Sequence, residues 1–347
     1  MCISINIDIL DIIISYINPN NIKNVRKVSR KLNTQIANTV KLSMLVENLD
    51  RVSIPEYIKC IKLGQVYNYN YCKKITHVPN HITHIKFDNC FTQNINDLQD
   101  ILSNVTHITF GNMFNTTVEN LPSNLQVLRF AWDFNQCISH LPKGLKKVYF
   151  GERFNKPVDE LPNSITHLTF GWDFDQSIDN LPNSLLFLDL SLCHDFDKEL
   201  NNLPQKLERL ILPYNFTKTL HSIPKSVKNI LIYRYCIYEN DIEIFNSIPT
   251  SVIDVTIIVD HLTDEMQLVS KNITHIKVHR NIIHDRDMEM LRKIYVSNLT
   301  IYVGLMTDRC IKRINKFTKY KVMSAEYGKK IVAKKLIFAQ YECVFWI

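Results

Sequence analysis

The stretch LPNSITHLTFGWDFDQSIDN, Leu161 to Asn180, reads as a short strand bounded by turns and carries no catalytic signature. The two stretches before it, LPKGLKKVYFGERFNKPVDE (Leu141 to Glu160) and LPSNLQVLRFAWDFNQCISH (Leu121 to His140), repeat it almost position for position. Aligned on the leading Leu-Pro, copies begin at Leu121, Leu141, Leu161, Leu181, Leu203 and Ile223, so the spacing is 20 residues with a single step of 22. Self-similarity at a fixed period marks a repeat architecture. Weaker copies open at Ile54, Val78, Ser103, Ile248 and Lys271.

Each unit holds apolar residues in the pattern L-x-x-L-x-F, as in Leu125/Leu128/Phe130 and Ile165/Leu168/Phe170, which is the spacing of a leucine-rich repeat. The last two of these lie two apart on a strand and point inward, while the residues beside them face the other way. The proline at repeat position 2 has no amide to donate to a ladder and so belongs in the connection before the strand. A second apolar pair, Phe134/Ile138, Phe154/Val158, Phe174/Ile178 and Phe216/Leu220, closes the coil. One such unit cannot bury its own apolar faces, whereas stacked neighbours share a core; the pattern predicts a solenoid with a parallel sheet on its concave side.

Composition narrows the function. With 347 residues and 46% hydrophobic content the chain can bury a large core. Seven glycines, and no GxGxxG or GxxxxGK[ST], argue against a nucleotide-binding loop. Nine scattered cysteines without a CxxC pair fit neither a zinc site nor a disulfide scaffold, and point to a reducing cytoplasmic or nuclear setting. The apolar run Ile3 to Ile17 is interrupted by Asp8 and Asp11 and is too short for a membrane span, so no membrane association is expected. The net charge of +7 resides in Thr307 to Ile347. There, Arg309, Lys312, Lys316 and Lys319 share one face of a predicted amphipathic helix, read either as a cap or as a site for nucleic acid or an acidic partner.

Before the repeats, Ile9, Ile13 and Tyr16 recur at helical spacing, as do Ile22, Val25, Val28 and Leu32, with Pro19 suited to the first turn of a second helix. The predicted class is therefore α+β: a helical module over 1–48, a solenoid over 49–305 that is clearest over 121–222, and a basic cap or tail over 306–347.

Two resemblances sharpen this organisation. The segments FNQCI, FNKPV and FDQSI, each following the LPxxLxxLxF pattern or its close variant, resemble FNIP repeats, a leucine-rich-repeat variant of amoebae and of the large DNA viruses that infect them. The run Ile5 to Ile36, through Ile13-Ile14-Ser15-Tyr16-Ile17, Asn18-Pro19 and Val28-Ser29-Arg30-Lys31-Leu32, resembles an F-box. That resemblance implies docking on a Skp-type adaptor of a cullin-RING ubiquitin ligase, with Ile5, Ile9, Leu10, Ile13, Tyr16, Pro19, Ile22 and Val28 as the adaptor-facing residues. A viral protein of this kind would work in the host cytoplasm.

The expected role is non-enzymatic substrate recognition without a cofactor, the adaptor bound at one end and an unknown target on the concave face. Candidate target contacts are the outward strand positions Arg129, Lys147, Tyr149, His167, Thr169, Phe187, Asp189, Arg209 and Ile211, whose chemistry changes from coil to coil while the core positions stay apolar. A plain interaction scaffold whose first helices only cap the array, and nucleic-acid binding through the tail, are the alternatives. His84, His107, His167 and His275 share repeat position 7 and read as variable surface sites rather than as a metal ladder. Cys193 and His194, as neighbours on a strand, would point to opposite faces. Trp132 and Trp172 are expected to pack at the rim of the coil, or to anchor a partner there.

Overall fold

The computed structural model describes residues 43–46, 49, 53–56, 58–63, 75–259, 261 and 263–265, together with the backbone of three later strands. The chain divides into two compact units, Met1–Arg209 and Leu210–Ile347.

In the first unit the strands are β1 (Ser43–Val46), β2 (Cys60–Leu63), β3 (His84–Lys86), β4 (His107–Thr109), β5 (Val127–Arg129), β6 (Lys147–Tyr149), β7 (His167–Thr169) and β8 (Phe187–Asp189), with β9 (Arg209–Ile211) opening at its end. Each strand from β1 to β7 pairs in parallel with the next, so strand order follows chain order as in a solenoid. The register places identical repeat positions side by side: Leu128 against Val148, Val148 against Leu168, Leu168 against Leu188. Because side chains alternate, the middle residue of each of these strands is buried and its two neighbours stay partly exposed.

Three-residue strands follow from the motif. The Leu-Pro element forms a turn in which the Leu125 amide donates to the Pro122 carbonyl at 3.0 Å, and Leu145, Ile165 and Leu185 repeat the bond. Past each strand phenylalanine the chain turns at once: the Asp133, Arg153 and Asp173 amides donate to Asn112, Trp132 and Glu152 one coil back. Packing in that turn is so close that a Cβ at Gly151 would run into the Ala131 carbonyl, which is why glycine stands there.

The core is built of two ladders of phenylalanine. Phe110, Phe130, Phe150 and Phe170 follow each other at 5.5, 5.7 and 5.4 Å between ring centroids, and Phe114, Phe134, Phe154 and Phe174 at 6.0, 6.0 and 6.2 Å. Within a coil the two rings lie closer, 3.6 Å for Phe130 and Phe134. Such stacks add about 0.5–1.5 kcal/mol per pair beyond the area they bury. Beside them runs an amide ladder. The Asn115 side-chain oxygen accepts from the Asn135 amide at 2.9 Å, that of Asn135 from Asn155 at 3.0 Å, and that of Asn155 from Asp175 at 3.1 Å. The phenylalanine of the FN pair thus fills the core while the asparagine ties its coil to the following one. Where Asp175 replaces asparagine, Lys198 meets the carboxylate at 2.9 Å.

The step of 22 residues is absorbed after β8. Core contact resumes at Phe196 and Leu200, a pair hidden in the sequence by the two extra residues, while Leu192 is exposed and Cys193 is buried. Cys193 and His194 therefore sit in a turn, not on a strand as expected, although their side chains do part, Cys193 inward and His194 outward.

The second unit keeps parallel pairing with longer strands: β10 (Asn229–Arg234), β11 (Asp254–Val259), β12 (His275–Ile282), β13 (Asn298–Leu305) and β14 (Tyr320–Ser324). Between β10 and β11 stands helix α1 (Asp241–Asn246). Its position is fixed by buried Arg234, whose Nε donates to Asp241 Oδ1 at 2.8 Å and whose Nη atoms donate to the carbonyls of Tyr214 and Phe216 at 2.8 and 2.6 Å.

Helix is otherwise scarce among the described residues, a 3-10 turn at Ile95–Leu98 being the other clear instance. The α+β expectation therefore rests on residues 1–42, which lie outside the described residues, whereas Ser43–Val46 of the expected 1–48 module form the first strand. The predicted tail helix likewise lies outside them, except that Tyr320–Ser324 of the expected 306–347 tail extend the sheet as β14.

Candidate protein-binding face

The outward residues of the first unit form two parallel rows on the face opposite the core. One runs Cys60, His84, His107, Val127, Lys147, His167, Phe187, and the other Lys62, Lys86, Thr109, Arg129, Tyr149, Thr169, Asp189. Of the predicted target contacts, Arg129, Lys147, Tyr149, His167, Thr169, Phe187 and Asp189 are brought together here, and Arg209 is exposed on β9. Ile211 departs from the expectation. It is 6% exposed, an apolar side chain covered rather than offered. Lys62 and Lys86 extend the face and were not anticipated; their signal was the alignment of IKCIKL and THIKF with the later strands. The adaptor-facing candidates, Ile5, Ile9, Leu10, Ile13, Tyr16, Pro19, Ile22 and Val28, lie outside the described residues.

Several of these side chains brace one another across the coils. The Arg129 guanidinium lies over the Tyr149 ring, 3.4 Å from its centroid, and Arg209 lies over Phe187 at 5.5 Å. Burial draws the Arg129 pKa below its ordinary value, and Tyr149 partly offsets the shift. A planar cation laid on a ring is held in place. The His84 and His107 rings stack at 3.8 Å. His167 is oriented by its neighbour: Thr166 Oγ1, which donates to the Lys146 carbonyl at 3.2 Å, lies 2.9 Å from His167 Nδ1. Burial first, and then the neighbouring Lys147 charge, lower the His167 pKa and favour the neutral ring.

Asp189 behaves in the opposite sense. Burial pushes its carboxyl pKa up, against the Ser191 amide, which donates to Oδ1 at 3.0 Å, and against Arg209. The Cys193 thiol, buried and near the carboxylates of Asp189, Glu152 and Asp175, is pushed well above its ordinary range, which makes it a poor nucleophile. No group of three or more His, Cys, Asp or Glu among the described residues could hold a metal ion. Their helices include none long and apolar enough to cross a membrane.

The turn beside the sheet carries Trp132 and Trp172, 53% and 51% exposed, so they stand out from the rim instead of packing into it. Trp172 lies against His194 of the following coil, ring centroids 4.6 Å apart.

Residues 114–153 and 154–193 each match the FNIP Repeat family, so two family units cover the most regular coils. None of the curated proteins matches the chain. Among solved structures, the chain is similar to CroV588, described as a novel circular LRR protein, with 25% identity over 76% of this chain and a TM-score of 0.48. It spans 42% of the length of that protein. YopM from Yersinia enterocolitica is 12% identical over 74% of this chain and 68% of its own, with a TM-score of 0.29. An LRR protein of Leptospira interrogans is 10% identical over 72% of this chain and 93% of its own, with a TM-score of 0.24.

Proposed function

We propose that this chain is a non-catalytic recognition scaffold that holds a target protein on the two outward rows of its sheet. The observation carrying this reading is the contrast inside each strand: the middle position is always a buried aliphatic residue, while its neighbours change through Arg129, Tyr149, Thr169 and Asp189 on successive strands. Packing fixes the first and leaves the second to vary. A face whose chemistry changes every ~4.8 Å can discriminate among partners. Arginine and tyrosine are enriched among the few residues that dominate interface energies. Arg129→Ala with Tyr149→Ala should weaken target binding about tenfold or more, since such anchors carry most of the binding energy. Unchanged binding in the double variant would overturn this placement of the target site.

The finer reading joins the scaffold to ubiquitin transfer. Residues 5–36 resemble an F-box, so this segment would dock on a Skp-type adaptor and a cullin ligase core, and the chain would work by raising the local concentration of its target near the conjugating enzyme. Such a role belongs in the cytoplasm. Ile9→Asp with Ile13→Asp should abolish co-purification of the adaptor while leaving target binding intact. Full adaptor binding in that variant would overturn the F-box assignment.

A further inference from the structure

The two outward rows have one predominant charge. Lys62 lies beside Lys86 on adjacent strands, Thr109 follows, and Arg129 comes next, with Lys147 one strand further in the parallel row. Over β2 to β8 these rows contain a single carboxylate, Asp189, which lies at the far end and accepts from the Ser191 amide. No ion pair among the described residues engages Lys62, Lys86 or Lys147. Cations aligned along one face repel each other mildly in water, and an incoming anion relieves that repulsion.

We infer, building on the target-face reading above, that the segment this face takes is an extended acidic stretch of a protein, its carboxylates meeting Lys62, Lys86, Arg129 and Lys147. The dimensions agree. From β2 to β6 there are four strand spacings of ~4.8 Å, or ~19 Å, which an extended chain rising ~3.3 Å per residue spans in about six residues. Arg129, laid on Tyr149, adds a fixed positive charge to the row. Between the cations stand Thr109, Val127 and Tyr149, which offer hydroxyl and apolar contacts to side chains and backbone. Nucleic acid fits less well, because its affinity grows with the number of phosphates neutralised and the cations of this face are few.

The test uses the full chain and three labelled probes: a glutamate- and tyrosine-rich peptide, a peptide with lysine in place of the glutamates, and a single-stranded oligonucleotide of matching charge. Two face variants, Lys62→Glu with Lys86→Glu and Arg129→Glu with Lys147→Glu, are compared with a control pair in exposed turns, Lys143→Glu with Lys206→Glu. The acidic peptide should bind in a salt-dependent manner, and each face variant should weaken it by about tenfold or more, the control pair by less than about twofold. Unchanged thermal unfolding of the variants shows that the face, not the fold, was altered. Equal loss in the control pair overturns the inference, as does tighter binding of the lysine peptide or the oligonucleotide. If one of those two binds and is lost with the face variants, the partner chemistry is wrong while the target-face reading stands. A target protein whose binding none of the four face substitutions affects removes both.

Discussion

The coils of β5 to β7 and those from β10 onward solve one problem in two ways. In the first region each coil repeats the same pair of phenylalanines, the same Leu-Pro turn and a side-chain amide bond to its neighbour, and the strands are three residues long. In the second, β10 and β11 reach six residues and β12 and β13 eight, and α1 is held by one buried ion pair. A repeated motif closes the chain quickly, because its turn falls immediately after the strand phenylalanine. Once that motif is lost, the ladder of backbone bonds runs on, and a particular polar contact must take over the work of placing the return segment. Regular stacking spreads stability over many equal contacts. The irregular region concentrates it.

The largest expected effects would break this contrast directly. Phe170→Ala removes a fully buried ring that stacks on Phe150 and Phe174, and should cost about 3–5 kcal/mol by chemical denaturation. Arg234→Ala leaves Asp241 buried without its partner and the Tyr214 and Phe216 carbonyls without their donor, and should cost a similar 3–5 kcal/mol, roughly. The two losses should differ in rescue. Arg234→Met with Asp241→Leu should recover the share of the loss that comes from an unpaired buried carboxylate, while the Tyr214 and Phe216 carbonyls stay without their donor. No second change in the first region should restore the missing ring. If the Arg234 loss resists that rescue, the ion pair is not the device that places α1.

Smaller effects sharpen the contrast. Asn155→Ala removes the acceptor of the Asp175 amide and of Gln176 Nε2 and should cost about 1 kcal/mol, read from the shift of the denaturation midpoint. Asp189→Asn tests burial on the outward face. The folded carboxyl has a raised pKa, so its contribution to stability is fully present below the ordinary value of 3.8 and is lost as pH rises through the folded pKa. The asparagine variant should therefore melt higher than wild type at neutral pH, and the gap should close as pH falls toward that value. A gap that widens in acid would contradict the direction of the shift. Thr169→Ala, next to Phe170 but facing outward, should change stability by no more than about 0.5 kcal/mol.

The regular region was legible because its periodicity is literal. Leu128 and Phe130 turn inward and Arg129 outward as two-residue alternation requires, and the Leu-Pro turn precedes the strand as the missing proline amide requires. What escaped lies where a local rule was outweighed. Ile211 was assigned outward by phase alone, yet it is covered. The Phe196/Leu200 pair was masked because a two-residue insertion shifts the motif without shifting the core. Lys62 and Lys86 sit in degenerate copies whose alignment with the later strands is easily passed over, and strand pairing places them side by side on the candidate face. Nothing in the spacing around Arg234 foretells its pair with Asp241, since that bond closes across an irregular insertion.

Equal coil length has an evolutionary consequence. If residues 141–160 were excised, Thr166 could bond to Gln126 as Lys146 does, Phe170 would lie on Phe130, the Asp175 amide would find Asn135, and Gly171 would meet the Ala131 carbonyl now met by Gly151. Each of these core joints copies one that the excised coil now makes, while on the surface Asp173 would take the place of Arg153 beside Asp133. Only the outer surface would read differently, with His167 beside Val127 and Thr169 beside Arg129. In-frame duplication or loss of one coil can thus rewrite the order of side chains that a partner meets, with almost no new packing to invent.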